Sequence, residues 1–502
     1  MDTKDFRDTV YVIFGTGLAI LTGYARQSAI AHELGASRIA DIYLVAFALP
    51  EFVIIAMPII LTPAFIPVFL SVRQSQGENF AWQFVKRVAL VVIIFLLALT
   101  ALTVISAPYF LSLISPGFNL SERQEAMFAL YPMLPSLILI GMATFASSIS
   151  QTYRSFVRPA LMTTIYNLTF IAVLFFLPLS QPIIRASWAV TIGAVTSLLF
   201  ILPLIMKWVP ARSVRPENQS TDASIKEWFS LTIPYAIGYA AHHLILFIDR
   251  AMATDLGAGS AAALFYAYHL TLVIVQLSGL AVSTVLFPKL ADQVAGGDLL
   301  TAKRSLVTAL TLVWRIVLPA SAGLILIRKP VVRILFEHGA FDTQATELVS
   351  SPVIWYSIAV LADALCQPLW RAVYSRRSGW TFVAINSLQT GIRILANLVL
   401  IHWLGYTGLA ISATIGLAFQ AAALLWWAKS KFTFSINSKG WQDITSTAIA
   451  ALLAILGSSL LYNIMDGDYP ILTILIISVF GTLIYISALY GSKRIMDVHY
   501  GT

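Results

Sequence analysis

The chain has 502 residues, of which 58% are hydrophobic and only 11% are charged, and its mean hydropathy is +0.82. This composition excludes a set of ordinary water-soluble domains and is typical of a protein that crosses a membrane many times. The net charge of +8 does not indicate nucleic-acid binding, because basic residues at the inner membrane surface favour anionic lipids.

Apolar segments follow one another along the whole chain. A spanning helix needs about 20 mostly apolar residues. Segments of this kind are centred near residues 20, 55, 97, 138, 169, 196, 240, 274, 316, 358, 391, 418, 453 and 480. The sequence therefore predicts an all-α membrane protein with about 14 transmembrane helices.

The distribution of the 32 Lys and Arg residues predicts the orientation. With the amino terminus inside, most of them fall on cytoplasmic segments. The opposite side then holds only Arg38, Arg123, Arg185, Arg328, Lys329 and Arg333. Because basic residues concentrate on the cytoplasmic side of membrane proteins, we expect both termini of this multi-pass protein in the cytoplasm.

Three ionisable side chains, Arg26, Asp41 and Glu51, lie inside the first two apolar segments. A charge at membrane depth costs several kcal/mol, so these groups are expected to face a cavity, a partner or a cargo rather than lipid. Arg26 and Asp41 are expected to form an ion pair that closes one gate, or else a static pair between helices. Glu51 follows Pro50 and is expected either to carry a proton or cation, or to be a buried, protonated acid.

Short motifs of the first half recur in the second half at an offset of about 220 residues. Leu34-Gly35-Ala36 recurs as Leu256-Gly257-Ala258, Phe65-Ile66-Pro67 as Leu286-Phe287-Pro288, and Gln76-Gly77-Glu78 as Gly296-Gly297-Asp298. The pattern predicts two pseudo-symmetric six-helix lobes and two added C-terminal helices, with chance similarity as the alternative. The predicted boundaries are an N-lobe at 1–208, a cytoplasmic linker at 209–226, a C-lobe at 227–430, and two further spans with a short cytoplasmic tail at 431–502.

Asp249 and Arg250 are neighbours near the end of the seventh apolar segment. Adjacent side chains on a helix point about 100° apart, so the two need not pair with each other. They are expected to be a solvated interface pair, with the alternative that one of them reaches Asp41, Glu51 or Arg26.

His269 and Arg393 are the further candidates in later segments. His269 can protonate near neutral pH, although a packing role is the simpler interpretation. Arg393 is a candidate for a lipid groove, where it would hold the groove open or bind a phosphate, and snorkelling to the surface is its alternative. No metal site is predicted.

An ordered series of short motifs resembles the MurJ/MviN family, the lipid II flippases of the MOP exporter superfamily. The series covers about residues 10–430 and consists of Gly23-Tyr24-Ala25-Arg26, Leu34-Gly35-Ala36, Ala40-Asp41, Val45-Ala46-Phe47, Leu49-Pro50, Phe65-Ile66-Pro67, Ser115-Pro116-Gly117-Phe118, Arg158-Pro159-Ala160 with Asn167, Ala189-Val190-Thr191, Phe287-Pro288, Gly339-Ala340-Phe341 and Tyr374-Ser375-Arg376.

The resemblance implies a two-lobed, alternating-access transporter of the bacterial plasma membrane. Its cargo would be an undecaprenyl-diphosphate-linked glycan, moved from the inner to the outer leaflet for peptidoglycan or surface polysaccharide synthesis. Spans 1, 2, 7 and 8 would line the cavity, with Arg26 and Asp41 at functionally important positions, and the two extra helices would help to form a groove for the lipid tail. Membrane lipids, and proteins of cell-wall or polysaccharide synthesis, are the partners this implies.

Three cationic sites of the family, which hold four arginines, are different here. Ile20 replaces an arginine, Glu51-Phe52-Val53-Ile54-Ile55 replaces an Asn-x-x-Arg-Arg pattern, and Ala267-Tyr268-His269 replaces an Ala-Asp-Arg pattern. A diphosphate is best held by several arginines. A lipid-linked exopolysaccharide or O-antigen repeat unit therefore stays open as an alternative to lipid II.

The sequence contains no Gly-rich phosphate-binding loop ending in Gly-Lys-Ser or Gly-Lys-Thr, which argues against direct ATP hydrolysis. We expect a transporter without a resident cofactor, with a coupling proton or cation left open. Moving two negative charges outward would gain up to about 4.6 kcal/mol at 100 mV. A small-molecule or drug exporter on the same scaffold, and a membrane glycosyltransferase or scaffold protein, are the competing functions.

Overall fold

The computed structural model describes residues 3–210, 218–285, 293, 296–375, 379–432, 438–464 and 470–499. These ranges are helical, with turns and short loops between the helices and no β-strand among them. The chain forms two compact units, Met1–Ala261 and Ala262–Thr502.

The first unit holds the helices that carry most of the candidate charges. They are α1 (Thr3–Leu34), α2 (Arg38–Gln76), α3 (Glu78–Ile114), α4 (Leu120–Met133), α5 (Pro135–Thr152), α6 (Val157–Phe176), α7 (Pro182–Met206) and α8 (Asn218–Thr254), followed by the first residues of α9 (Ser260–Val285). Within this unit α1 packs against α6, α2 against α5 and α8, and α6 against α7.

The second unit holds most of α9 and six further helices. They are α10 (Leu299–Leu326), α11 (Arg328–Phe336), α12 (Thr343–Ser375), α13 (Gly379–Phe432), α14 (Ser438–Ile464) and α15 (Pro470–His499). Here α12 packs against α10 and α13, while α14 packs against α10 and α15.

The start of α2 places two of the candidate carboxylates. Ser37 caps the helix, because its hydroxyl accepts a hydrogen bond from the Ala40 N–H at 3.4 Å. Asp41 therefore lies in the first turn and Glu51 follows Pro50 deeper in the same helix. Four prolines lie inside α2 without ending it, as is common in membrane helices, where neighbouring helices support the loosened backbone.

Eleven helices in the described ranges are long and apolar enough to cross a membrane. One of them, Trp380–Phe432, bends at Gly405, whose φ of 55° is left-handed, so its two arms count as two spans. With α1 and the shorter apolar helix Ser260–Gln276, these make the fourteen helices that were predicted. The prediction of an all-α membrane protein is confirmed.

The predicted lobe boundaries stay predictions. Residues 211–217 of the expected linker, and Leu286-Phe287-Pro288 of the second repeat, lie outside the described residues.

The two arms of α13 approach each other closely just after the bend. A Cβ atom at Gly408 would lie 2.6 Å from the Leu400 backbone oxygen. Because this neighbour is backbone, we expect Gly408→Ala to lower the free energy of unfolding by about 1–3 kcal/mol, measured as thermal unfolding in detergent. Gly391→Ala is the matched control, since a Cβ atom there meets nothing within 4 Å. Equal unfolding midpoints for the two variants would contradict this packing.

Candidate functional site

A buried ion pair joins α2 to α8 inside the first unit. The Arg250 guanidinium donates through Nη2 to Glu51 Oε2 and through Nη1 to the Leu44 carbonyl oxygen at 2.8 Å. The Arg250 side chain is only 6% exposed and the Glu51 side chain 8%. At this burial each charge depends on the other, because an unpaired ion in a low-dielectric interior is strongly destabilised.

Three hydrogen bonds hold the end of α8 and the turn after it against α2 and the loop before α4. Asp41 Oδ2 accepts from the Gly259 N–H at 2.7 Å, Arg38 Nη1 donates to the Thr254 carbonyl oxygen at 3.0 Å, and the Gly117 N–H donates to Thr254 Oγ1 at 3.3 Å. We call these five residues the α8 clamp. Asp41 is fully buried in it, so its carboxylate is stabilised by a backbone donor rather than by water.

The clamp needs glycine where the backbones meet. A Cβ atom at Gly117 would lie 2.3 Å from the Thr254 carbonyl oxygen, and Gly259 has a left-handed φ of 82°. A larger residue at position 117 would push the loop away from α8.

Arg38 ties the clamp to the start of α4. Its Nε lies 3.2 Å from Glu122 Oε1, and its guanidinium lies over the Phe118 ring at 5.3 Å. Glu122 is itself held by the capping box of α4, in which Asn119 is the N-cap. These contacts fix the Arg38 guanidinium where it meets Thr254.

Arg26 lies on α1, opposite two aromatic rings of α6. Its guanidinium carbon is 5.5 Å from the Tyr166 ring centre and 5.6 Å from the Phe170 ring centre. These are cation–π distances. Its buried Nε has no hydrogen-bond partner among the described residues.

The face of α1 that carries Arg26 is fixed by a polar contact one turn earlier. Asn167 of α6 donates to Thr22 Oγ1 at 3.2 Å and to the Ala19 carbonyl oxygen at 3.3 Å. Gly23 leaves room for this amide, since a Cβ atom there would lie 3.6 Å from it. Arg26, four residues after Thr22, is thereby placed on the same face.

The expected pairing of Arg26 with Asp41 is wrong. Arg26 contacts aromatic rings and forms no ion pair with a described residue, whereas Asp41 binds the backbone of the α8–α9 turn. The two lie on different faces of neighbouring helices, and Arg26 keeps its guanidinium without a carboxylate partner in the described structure.

The interpretation of Asp249 and Arg250 as a solvated pair is also wrong for Arg250. This residue is buried and reaches Glu51, which is the alternative that the sequence left open. Asp249 is half-buried on the adjacent side of α8. Because neighbouring residues of a helix point about 100° apart, the two side chains have different surroundings.

His269 and Arg393 lie in the second unit. His269 Nδ1 is 2.9 Å from the Phe265 carbonyl oxygen and its ring lies 4.1 Å from the Phe265 ring, a packing environment. Arg393 is half-buried where the two arms of α13 pack, and a Cβ atom at Gly416 would lie 3.3 Å from its Cβ.

A cavity of about 540 Å³ opens in the second unit between α10, α14 and α15. Its walls are mostly apolar, and Arg315 is the charged residue among its described lining. Arg315 Nη2 pairs with Asp443, and the Tyr485 hydroxyl donates to the Arg315 carbonyl oxygen at 2.8 Å. Sequence reasoning placed a groove at the added helices and chose Arg393, but Arg315 is the arginine that lines this cavity.

Comparison with known proteins decides the family. A family model described as "Lipid II flippase MurJ" matches residues 30–480. The chain belongs to this family. A lipid II flippase MurJ of Burkholderia cenocepacia is 26% identical over 460 residues, covering 90% of this chain and 89% of that protein. A probable lipid II flippase MurJ of Vibrio cholerae is 26% identical, covering 82% of this chain and 80% of that protein.

Solved structures agree on the fold of the MurJ family. A structure described as "Lipid II flippase MurJ, inward closed conformation" matches with a TM-score of 0.81 at 21% identity, covering 98% of this chain and 99% of that one. An inward-facing multidrug resistance MATE transporter of the MOP superfamily matches with a TM-score of 0.69 at 14% identity, covering 82% and 94%. The resemblance to the family is confirmed, and the transporter structure agrees with its fold.

Sequence reasoning missed the partners of the candidate charges. Tyr166 and Phe170 are four residues apart and so share a helix face, but this spacing is also that of ordinary packing. Gly259 contacts Asp41 through its backbone N–H, and Thr254 contacts Arg38 through its carbonyl oxygen, which no side-chain pattern reveals. The nearest signal was Gly117, which lies in one of the family motifs.

The Glu51–Arg250 pair can be tested by a double-mutant cycle. Glu51→Gln leaves a buried arginine unpaired, and Arg250→Met leaves a buried carboxylate unpaired, so each is expected to cost about 3–5 kcal/mol of stability. The double variant Glu51→Gln with Arg250→Met should recover most of that loss, measured by thermal unfolding of the purified protein in detergent.

The exposed pair Lys329–Glu347 serves as the control. Its side chains are 46% and 58% exposed, so Glu347→Gln should change stability by about 0–1 kcal/mol. Additive losses at Glu51 and Arg250 would show that the two charges do not depend on each other.

Proposed function

We propose that this chain is a flippase that moves an undecaprenyl-diphosphate-linked glycan precursor, lipid II or a close relative, from the inner to the outer leaflet of the bacterial plasma membrane. Membership of the MurJ family supports this function. The observation that carries it is Arg26, a half-buried membrane arginine that has neither a carboxylate partner nor a hydrogen bond at Nε within the part of the chain that the structure describes. The orientation with both termini in the cytoplasm belongs to the same proposal.

Arg26 suits an anionic cargo group. Its charge is delocalised and its donors match phosphate oxygens, so a diphosphate would satisfy the buried Nε–H that the described protein groups leave unpaired. The cation–π contacts with Tyr166 and Phe170 lower the cost of holding this charge before the cargo arrives.

The α8 clamp supports alternating access. A few hydrogen bonds, each worth about 1 kcal/mol net or somewhat more where a charge takes part, hold the end of α8 to α2. Such contacts can open and close within a transport cycle without nucleotide hydrolysis. We propose that the clamp closes the external side while cargo enters from the cytoplasmic leaflet.

The cavity of the second unit suits a long hydrocarbon chain. Its apolar walls match an isoprenoid tail, and Arg315 lies within reach of a phosphate at one end. The Arg315–Asp443 pair is about one-quarter exposed on each side, so exchange of the carboxylate for a phosphate costs less desolvation than it would in a fully buried pair.

The central experiment reconstitutes the purified protein in vesicles with fluorescent lipid II. We expect the wild type to flip this lipid, and Arg26→Ala or Asp41→Ala to reduce the rate at least about tenfold, because one phosphate contact or one clamp contact is lost. Lys329→Ala, an exposed basic residue, is the control for charge removal and should flip normally.

A parallel arm uses a lipid-linked exopolysaccharide repeat unit. The replaced cationic positions at Ile20, Ile54, Ile55 and His269 favour this cargo as the second candidate. Transport of the repeat unit alone would assign the protein to surface polysaccharide synthesis. Transport of neither lipid, together with export of small cationic drugs, would replace the proposal with the drug-exporter function.

We propose that the membrane potential drives the cycle. Glu51 is paired with Arg250, so its carboxylate is already neutralised without a coupling ion. An imposed potential, negative on the side of cargo entry, should accelerate flipping several-fold, since two charges gain up to about 4.6 kcal/mol at 100 mV. A potassium diffusion potential set with valinomycin provides the measurement.

The same vesicles test an ion-coupled cycle. A sodium or proton gradient applied at zero potential should leave the rate unchanged. Acceleration by either gradient, lost in the Glu51→Gln, Arg250→Met variant, would instead identify Glu51 as an ion carrier.

A further inference from the structure

Tyr166 carries a buried hydroxyl without a hydrogen-bond partner. The residue is 7% exposed, and its Oη has no partner among the described residues. Buried hydroxyl groups are normally satisfied, and the exceptions need an explanation. Tyr166 also lies near the middle of α6, a 20-residue span, at the depth where transporters place their binding sites.

The ring of Tyr166 is fixed between two helices. On one side the Arg26 guanidinium lies 5.5 Å from its centre. On the other side Gly193 of α7 provides the space, since a Cβ atom there would lie 2.9 Å from Tyr166 Cδ2. The hydroxyl is thus held at one place beside a cation.

Two unsatisfied donors therefore lie next to each other, the Tyr166 O–H and the Arg26 Nε–H. Neither group forms a hydrogen bond of acceptable geometry with any described residue. A phenol hydroxyl that is free to donate and an N–H group on a positively charged guanidinium, both unsatisfied among the described residues, together match an oxyanion with several oxygens.

We propose that Tyr166 determines specificity for the cargo by donating a hydrogen bond from its hydroxyl to the diphosphate held by Arg26. This inference rests on the proposed flippase function. A phenol supplies a directed donor at no cost in buried charge, which suits a site that has isoleucine at positions 20 and 54.

The test measures binding of farnesyl diphosphate, a short soluble probe, to the purified full-length protein in detergent, with farnesol as the phosphate-free control. Tyr166→Phe keeps the ring under Arg26 and removes only the hydroxyl. We expect farnesyl diphosphate to bind about tenfold more weakly, as for one lost hydrogen bond to a charged group, with farnesol binding and the unfolding midpoint unchanged. In vesicles, the same variant should raise the half-saturating cargo concentration more than it lowers the maximal rate.

Two matched variants separate the hydroxyl from the ring. Phe170→Leu removes the other face contact of Arg26 but no donor, so it should weaken binding by less than Tyr166→Phe. Tyr131→Phe removes a hydroxyl from a 39% exposed tyrosine of the same unit and should have no effect.

The outcomes distinguish this inference from the proposed function. Unchanged diphosphate binding by Tyr166→Phe, or an equal loss of farnesol binding with a lower unfolding midpoint, would overturn the role of Tyr166. Weaker diphosphate binding by the variant, combined with a wild type that flips no lipid-linked glycan, would support the role of Tyr166 and overturn the flippase function.

Discussion

The cost of a charge inside a membrane-spanning helix bundle is the constraint on which this structure depends. The first unit lowers this cost in three ways. Arg250 and Glu51 neutralise each other, Asp41 accepts a backbone N–H, and Arg26 lies over two aromatic rings. The first neutralises both charges by pairing them, whereas the aromatic rings beside Arg26 lower the cost of its positive charge without neutralising it.

The sequence was sufficient to predict the helices and to select the charged residues of the candidate site. Apolar segment length predicts spanning helices because the bilayer imposes it, and buried charges are rare enough to attract notice. Pairing was not predictable in the same way. Arg26 and Asp41 are close in sequence but face different neighbours, whereas Glu51 and Arg250, 199 positions apart, are in contact. Helix rotation and packing decide such contacts, and an apolar sequence constrains both weakly.

Backbone groups explain the rest of what the sequence left open. The α8 clamp uses the N–H groups of Gly117 and Gly259 and the carbonyl oxygen of Thr254. Every residue except proline offers these atoms, so composition does not mark them. A glycine indicates only that another backbone comes close at that position. The motif around Gly117 therefore indicates a close contact but not the residue that makes it.

The paired and the unpaired charges of the first unit have different roles. A buried pair such as Glu51–Arg250 favours one arrangement of α2 and α8, since separating the two charges in low dielectric is costly. Arg26 packs against α6 and has no carboxylate partner among the described residues, so its interaction with an anion would not require an ion pair to break. In the proposed function, cargo binding and helix rearrangement would therefore depend on different groups. This separation explains how a site can have fewer cations than the family pattern and still favour an anionic cargo, because Arg26 does not have to be released from a carboxylate first.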